Sequence, residues 1–473
     1  MTEDSSKATR IERDSMGEMA VPADALYGAS TQRAVLNFPI SGQRFPRPFI
    51  RALALIKGAA AEANGELGLL DADVASAIAE SAAEVAAGDH DDQFPIDVYQ
   101  TGSGTSTNTN ANEVIAHLAT EQLRGGGAST RVHPNDHVNK CQSSNDVIPT
   151  ALQLAAAIEI EERLLPALET LRAALDERAE ALWPIVKTGR THLQDATPIR
   201  LGQEFRGYAG QVEEAIRRVR AGQAELLSVP LGGTAVGTGI NAHPEYAART
   251  TERLARLTGL PVRETENHFH AQASLDAAIA AHGAIRSAAL SLWKIGSDVR
   301  LMGMGPRAGL AEIALPEIQP GSSIMPGKVN PVIIESLTMV VARVVGNDAT
   351  IAFGQTGSLL ELNVMLPVTA VALLESISLL AAAARNFADR AIRGLTATER
   401  GPALVEQGLM LATALAPEIG YDAAAALAKE AFKSGRTIRE LATERGIAPD
   451  RLDELLDPAA MTEPGLGSGI GGG

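Results

Sequence analysis

The segment VIIESLTMVVARVVGND carries apolar residues at Ile333, Leu337, Val340, Val341 and Val344, a spacing of i, i+4, i+7, i+8 and i+11 that puts them on one face of an α-helix. That face is expected to be buried. Similar periodicity runs through TALQLAAAIEIEERLLPALETLRAALDERAEALW after Pro149 and recurs in long segments from about Gly202, Ser274, Val332 and Val364, so five long helices are the simplest count. The stretch from Val364 to Arg393 would span roughly 45 Å as a helix. It is apolar on more than one side, as helices inside bundles are, and here the bundle is expected to be shared between subunits.

The pattern differs on either side of this block. From FPRPFIRALALIKGAAAEAN, beginning at Phe45, short helical patterns alternate with polar, Gly-rich loops, which predicts a mixed, mostly helical domain over residues 1–149. Residues 150–394 then form the central helix-bundle domain, and residues 395–473 a small helical domain containing YDAAAALAKEAFKSG and RTIRELATERG. The closing GLGSGIGGG has nothing to bury and is expected to be disordered or mobile. No internal repeat is evident. Composition agrees with a mainly α fold: 45% of residues are hydrophobic but only 3% aromatic, so Ala, Leu, Ile and Val must fill the interior, which suits closely approaching helices.

Charge and cysteine content narrow the function. A net charge of −16 argues against nucleic acid or an anionic membrane as partner, since both need a basic face. The single cysteine, Cys141, supports neither a disulfide framework nor an iron–sulfur cluster. The start, MTEDSSKATRIERD, has no apolar core of a secretory signal, and the apolar run VMLPVTAVALL is stopped by Glu375 short of the roughly 20 residues of a membrane span. A soluble, cytoplasmic protein is expected.

Four polar islands stand out against the alanine-rich background: TGSGTSTNTNANE from Thr101, HPNDHVNKCQSSND from His133, GRTHLQDATP from Gly189 and GSSIMPGKVNP from Gly321. Each adjoins an expected long helix. Backbone N–H groups and hydroxyls at a helix start favour an anion, so together the islands predict a site for carboxylates or phosphates. In the last island Gly321 and Gly327 permit unusual backbone angles, Lys328 supplies positive charge, and Ser322, Ser323 and Asn330 offer hydrogen bonds. A serine hydroxyl acts as a base only if its alkoxide is held by an ammonium or by N–H groups, and Lys328 is near enough in sequence to curl back.

GSSIMPGKVNP resembles the signature of the fumarase/aspartase superfamily of lyases, and the likeness extends over almost the whole chain. RIERDSMGEMAVPADALYGASTQRA, FPIDVYQTGSGTSTNTNANEVI, HPNDHVNKCQSSND, GRTHLQDATPIRLGQEF, LGGTAVGTGIN and RLMGMGPRAGLAEIALPEIQPGSSIMPGKVNP resemble class II fumarases in order and spacing. The resemblance implies three mainly helical domains, a central five-helix bundle, and a homotetramer whose bundles merge into a twenty-helix core. It further implies active sites shared between three subunits, a fumarate/L-malate dicarboxylate substrate, and neither metal nor organic cofactor.

By the family motif, Ser322 is the base that takes the C3 proton of malate and Ser323 is a binding hydroxyl beside it. Lys328 and Asn330 suit stabilisation of the resulting carbanion. His192 matches the group that assists departure of the C2 hydroxyl, and Glu335 the carboxylate that pairs with that histidine. Ser103, Gly104, Thr105, Ser143, Ser144, Asn145 and Thr191 resemble the groups that hold the substrate, and His133, Asn135 and Asp136 match a second anion site, although the same residues serve equally as a structural turn.

Some positions depart from the family pattern. Cys141 stands where serine is usual, Arg131 lies two residues before His133 rather than three, and NHFHA at Asn267 replaces an NKFEA-like motif, its His268/His270 pair too isolated to propose a metal. An aspartase is the nearest alternative, but aspartases resemble GRTQLQDAVP, with glutamine at the position of His192. A nicotinamide oxidoreductase rests only on GTGINA at Gly237, which no apolar strand precedes. A catalytically silent structural homologue is the third reading.

Overall fold

The computed structural model of the chain describes residues 8–464. The tail GLGSGIGGG lies outside the described residues. Five long helices are present: Ser144–Glu159, continued through a π-helical turn at Ile160–Leu164 into Leu165–Ala181; Leu201–Glu225; Asp276–Met302; Val332–Gly354; and Leu366–Phe387. Strands are few and short, in five two-stranded sheets.

Two compact units divide the chain. The first comprises Met1–Pro166, Arg217–Ala288 and Ala342–Ala381, and the second Ala167–Ile216, Ala289–Val341 and Ala382–Gly473. All five long helices therefore contribute residues to both units, the first of them divided just beyond its π-helical turn, near Pro166. These boundaries differ from the three consecutive segments expected from composition.

The first unit opens with the antiparallel hairpin Thr9–Asp14/Gly17–Pro22 and continues through helices Arg47–Glu66, Ala72–Ala87 and Thr105–Gly125. Small residues let its helices approach closely: a Cβ added at Gly222 would lie 2.9 Å from the Cα of Ala281. Alanine and glycine, rather than aromatic bulk, set the spacing. The second unit contains the antiparallel hairpin Val186–Thr191/Gln194–Arg200, which the sequence reading did not anticipate. It also holds a separate C-terminal core built on Leu415, Leu427, Ile438, Leu441 and Leu456, whose helices Tyr421–Ser434 and Ile438–Glu444 match the expected ones.

Three local expectations need correction. Pro149 does not precede the first long helix but lies inside it, because a capping box of Ser143 and Asp146 starts the helix at Ser144. The proline removes the N–H that would have met the Asn145 carbonyl. On Val332–Gly354 the buried stripe is Ile334, Leu337, Val341 and Val344, while Ile333 and Val340 are half-buried. Glu375 does not interrupt the last long helix: with its terminal π-helical turn it runs 27 residues to Ile392 and is long and apolar enough to cross a membrane. Much of it is nevertheless buried within the chain, and Glu375 is accommodated by Arg343 at 2.8 Å.

Inside the first unit a buried polar knot ties three long helices together. His282 Nδ1 is 2.8 Å from Asp348 Oδ1, its Nε2 is 2.9 Å from Ser376 Oγ, and Asn347 donates to the same Oγ at 3.0 Å. The order Ser–His–Asp imitates a hydrolytic triad, but His282 and Ser376 are both fully buried and Ser376 donates to Ala372 O, so the knot is structural. Burial holds the His282 imidazole below its usual range, against the opposing pull of Asp348. The unfolded chain thus takes up this proton first, and the stability contributed is present above the unfolded histidine value of about 6.5 and lost as pH falls below it. Replacing His282 by Gln is expected to flatten the fall in thermal midpoint between about pH 7 and pH 5.5 relative to the unaltered protein. An identical slope in both proteins would contradict this assignment.

Candidate active site

In the first unit, two polar islands 39 residues apart in sequence meet at adjoining helix starts. Gly104, with φ +70°, forms the N-cap of Thr105–Gly125, and Ser143 caps Ser144–Glu159. Thr105 Oγ1 is hydrogen-bonded to Ser103 Oγ at 2.8 Å and to Ser144 Oγ at 2.7 Å. Four of the expected binding groups therefore converge once Asn145 is included, whose Nδ2 donates to Ala235 O at 2.8 Å. Hydroxyls gathered at two helix N-termini, with Thr105 exposed, form a cradle suited to a carboxylate.

The glycines here are dictated by packing. A Cβ at Gly104 would lie 2.7 Å from Ile148 Cγ2, and one at Gly102 would collide with the Val364 carbonyl. Asp146 supports the arrangement from beneath. It is fully buried and accepts from Ser143 N at 2.9 Å and from Gly232 N and Thr234 N, both at 3.0 Å. Burial raises its carboxyl above the usual range, and these three N–H groups act in the opposite direction. LGGTAVGTGIN, read from the sequence as a family motif without a stated role, is therefore the segment that this carboxylate clamps. Its GTGINA portion is a run of tight turns with Gly237, Gly239 and Asn241 at positive φ, and no dinucleotide-binding helix follows directly.

The expected second anion site is an exposed π-helical turn. His133 Nδ1 accepts from Asp136 N at 3.1 Å, and His133 N donates to His137 Nδ1 at 2.9 Å. Asn135 and Asp136 are exposed beside it. His268 and His270 face different partners, the Leu231 carbonyl at 3.2 Å and Asp276 Oδ2 at 2.8 Å, and no cluster of three metal-ligating side chains occurs among the described residues. Cys141 is buried with φ +61°, and burial pushes its thiol up.

In the second unit, Thr191 ends a strand and His192 with Leu193 form the two-residue tip of the hairpin at φ +55° and +58°. Both tip residues occupy the left-handed region that such turns usually fill with Asn-Gly. This strained conformation thrusts the imidazole into solvent. Behind it, Lys187 lies 3.0 Å from Glu204 and 2.8 Å from the fully buried Glu312, which also meets Arg190 at 2.8 Å. These ion pairs anchor the hairpin. They escaped the sequence reading because their members are scattered over more than 120 residues.

The signature loop is organised by its own backbone. Gly321 N donates to Lys328 O at 2.7 Å, and Asn330 Nδ2 donates to Gly321 O at 2.6 Å. Ser322 Oγ accepts two backbone donors, Met325 N at 2.9 Å and Ile324 N at 3.2 Å. Ser323 and Lys328 are exposed, and the Lys328 ammonium makes no ion pair among the described residues. Glu335 stands exposed in the first turn of Val332–Gly354, and within one chain it forms no ion pair with His192.

A family described as "Lyase" matches residues 17–346 and one described as "Fumarase C C-terminus" matches residues 411–463. A fumarate hydratase class II of Methylorubrum extorquens is 52% identical over 98% of both chains, and one of Halobacterium salinarum 53% identical over 97% of this chain and 98% of that one. Among solved structures, a class II fumarase from Schistosoma mansoni superposes with a TM-score of 0.93 at 38% identity, covering 96% of this chain and 99% of the other.

Substituting Gly104 by Ala would force a left-handed L-residue, at a cost of about 1–2 kcal/mol, and press its methyl on Ile148. Calorimetric titration with a non-reacting small dicarboxylate is expected to show affinity weakened by about tenfold. Unchanged affinity would rule out the cradle.

Proposed function

The chain belongs to the class II fumarases of the fumarase/aspartase lyase superfamily, and from that premise we propose that it catalyses the reversible hydration of fumarate to L-malate. The observation that carries the mechanism is the environment of Ser322 Oγ, which two backbone N–H groups already address. Donors fixed before the reaction stabilise an alkoxide without reorganisation, lowering the hydroxyl's resistance to ionisation. The Lys328 ammonium, in the same exposed loop, adds to this once the loop closes.

Starting from malate, Ser322 removes a proton from C3. The electron pair left behind spreads into the adjoining carboxylate as an aci-carboxylate, which Lys328 and the second N–H of the Asn330 amide stabilise. The C2–oxygen bond then breaks as the carbanion pair forms the C2–C3 double bond. The departing hydroxide takes a proton delivered through His192 and leaves as water. Glu335 of a neighbouring chain orients that imidazole. Ser103, Gly104, Thr105, Ser143, Ser144, Asn145, Thr191 and Ser323 hold the substrate, and no step calls for metal or organic cofactor.

A homotetramer follows from the same reading. Trp293, Met339 and Phe353, on two of the long helices, are 46%, 68% and 65% exposed in a single chain, which is costly for large apolar side chains unless other subunits cover them. We place the enzyme in the cytoplasm and the tricarboxylic acid cycle, with neither nucleic acid nor membrane as partner. The net charge of −16 and the single cysteine support that placement.

Purified protein supplied separately with L-malate and L-aspartate is expected to release fumarate, followed by its ultraviolet absorbance, from malate alone. Release from aspartate alone would instead identify an aspartase, and release from neither a silent homologue. Ser322→Ala should lower kcat by at least about a thousandfold while the assembly persists; near-normal turnover would exclude Ser322 as the base.

A further inference from the structure

One strongly ionisable side chain in the first unit has no part in this chemistry. Lys57, in the middle of helix Arg47–Glu66, is completely buried. Taking an ammonium out of water costs several kcal/mol, and among the described residues no carboxylate lies within ion-pair distance to offset it. Its partners are neutral: Nζ donates to Asn139 Oδ1 and to Gln142 Oε1, each at 2.9 Å.

Those two side chains belong to the loop that ends at Ser143. Asn139 Nδ2 donates to Gln142 O at 3.0 Å, and Gln142 Nε2 donates to the carbonyls of Val138 and Lys140, both at 3.1 Å. Asn139 Oδ1 also accepts from Asn108 Nδ2 at 3.2 Å, in the helix that begins at Thr105. Lys57 is thus the hub of a network joining the helix starts that carry Thr105 and Ser144. The one charged group that acts on it appreciably is Asp146. Cys141 and Tyr246, which border Asp146, are both pushed up by burial and stay neutral near pH 7.

We propose that Lys57 is a positioning residue for the dicarboxylate substrate, fixing the loop before Ser143 and supplying buried positive charge behind the Thr105–Ser144–Asn145 cradle. The inference rests on the proposed fumarase reading. Burial lowers the Lys57 ammonium to about 7 in the ligand-free chain, with Asp146 acting against that shift. An anion bound in the cradle favours the protonated form, so binding takes up a proton once the free enzyme has lost it. KM should therefore rise as pH climbs through about 7, with kcat less affected.

The test is steady-state kinetics of the intact assembly with malate between about pH 6 and 9, comparing the unaltered enzyme with Lys57→Met and Lys57→Gln. The glutamine keeps an amide donor for Asn139 and Gln142, so it provides the comparison if the methionine variant fails to fold. The expected result is a KM raised about tenfold at pH 6.5 in either variant, a kcat within about threefold, and loss of the rise in KM with pH seen in the unaltered enzyme. A KM profile of the same shape in enzyme and variant would overturn the proposal, whatever the change in stability. If the unaltered enzyme fails to turn over malate at all, the fumarase reading itself fails.

Discussion

A carboxylate removed from water must be met by donors, and Asp146 meets that demand by drawing three backbone N–H groups from two distant segments. This constraint shapes the cradle. By holding Ser143 N it completes the capping box that starts a long helix, and by holding Gly232 N and Thr234 N it fixes the turns that present Ala235 O to Asn145. The hydroxyls of the cradle are held in place because the carboxyl group that supports them cannot be left unsatisfied. A cradle suited to a dianion is thereby built over a buried carboxyl group that three N–H dipoles stabilise.

The same economy operates across a protein carrying sixteen excess negative charges, where a dicarboxylate is repelled at long range and must be captured by local fields. Helix N-termini provide fixed positive potential at Thr105 and Ser144, and the signature loop turns two N–H groups on Ser322. None of these donors has to move when charge develops. The strained tip at His192 and Leu193 serves a related end: its position, braced by the Lys187–Glu204–Glu312–Arg190 ion pairs, exposes an imidazole that meets no acidic partner among the described residues.

Much of this was legible in the residue pattern, and the gaps have physical reasons. Five long helices followed from alanine-rich periodicity, and the polar islands marked Ser103, Thr105, Ser144 and Asn145, which the fold joins by hydrogen bonds or adjoining helix starts. Pro149 misled because proline usually marks a boundary, whereas the capping box five residues earlier had already begun the helix. The hairpin Val186–Arg200 was invisible because its strands are polar and short and its tip is His-Leu rather than Asn-Gly. Lys57 was passed over because one lysine in ALALIKGAAAEAN reads as the solvent face of an amphipathic helix, and only three-dimensional packing reveals that it points inward. The pairing of His192 with Glu335 is implied by family resemblance alone, since the two form no ion pair among the described residues.

The most direct test of the account is a crystal structure of the assembled protein holding a non-reacting dicarboxylate. One carboxylate should rest on Thr105, Ser144 and Asn145, with Ser322 Oγ of an adjoining chain within about 3.5 Å of the carbon equivalent to C3 and His192 on the side of C2. A ligand seated away from the cradle, or a Ser322 hydroxyl remote from that carbon with the loop closed, would contradict it.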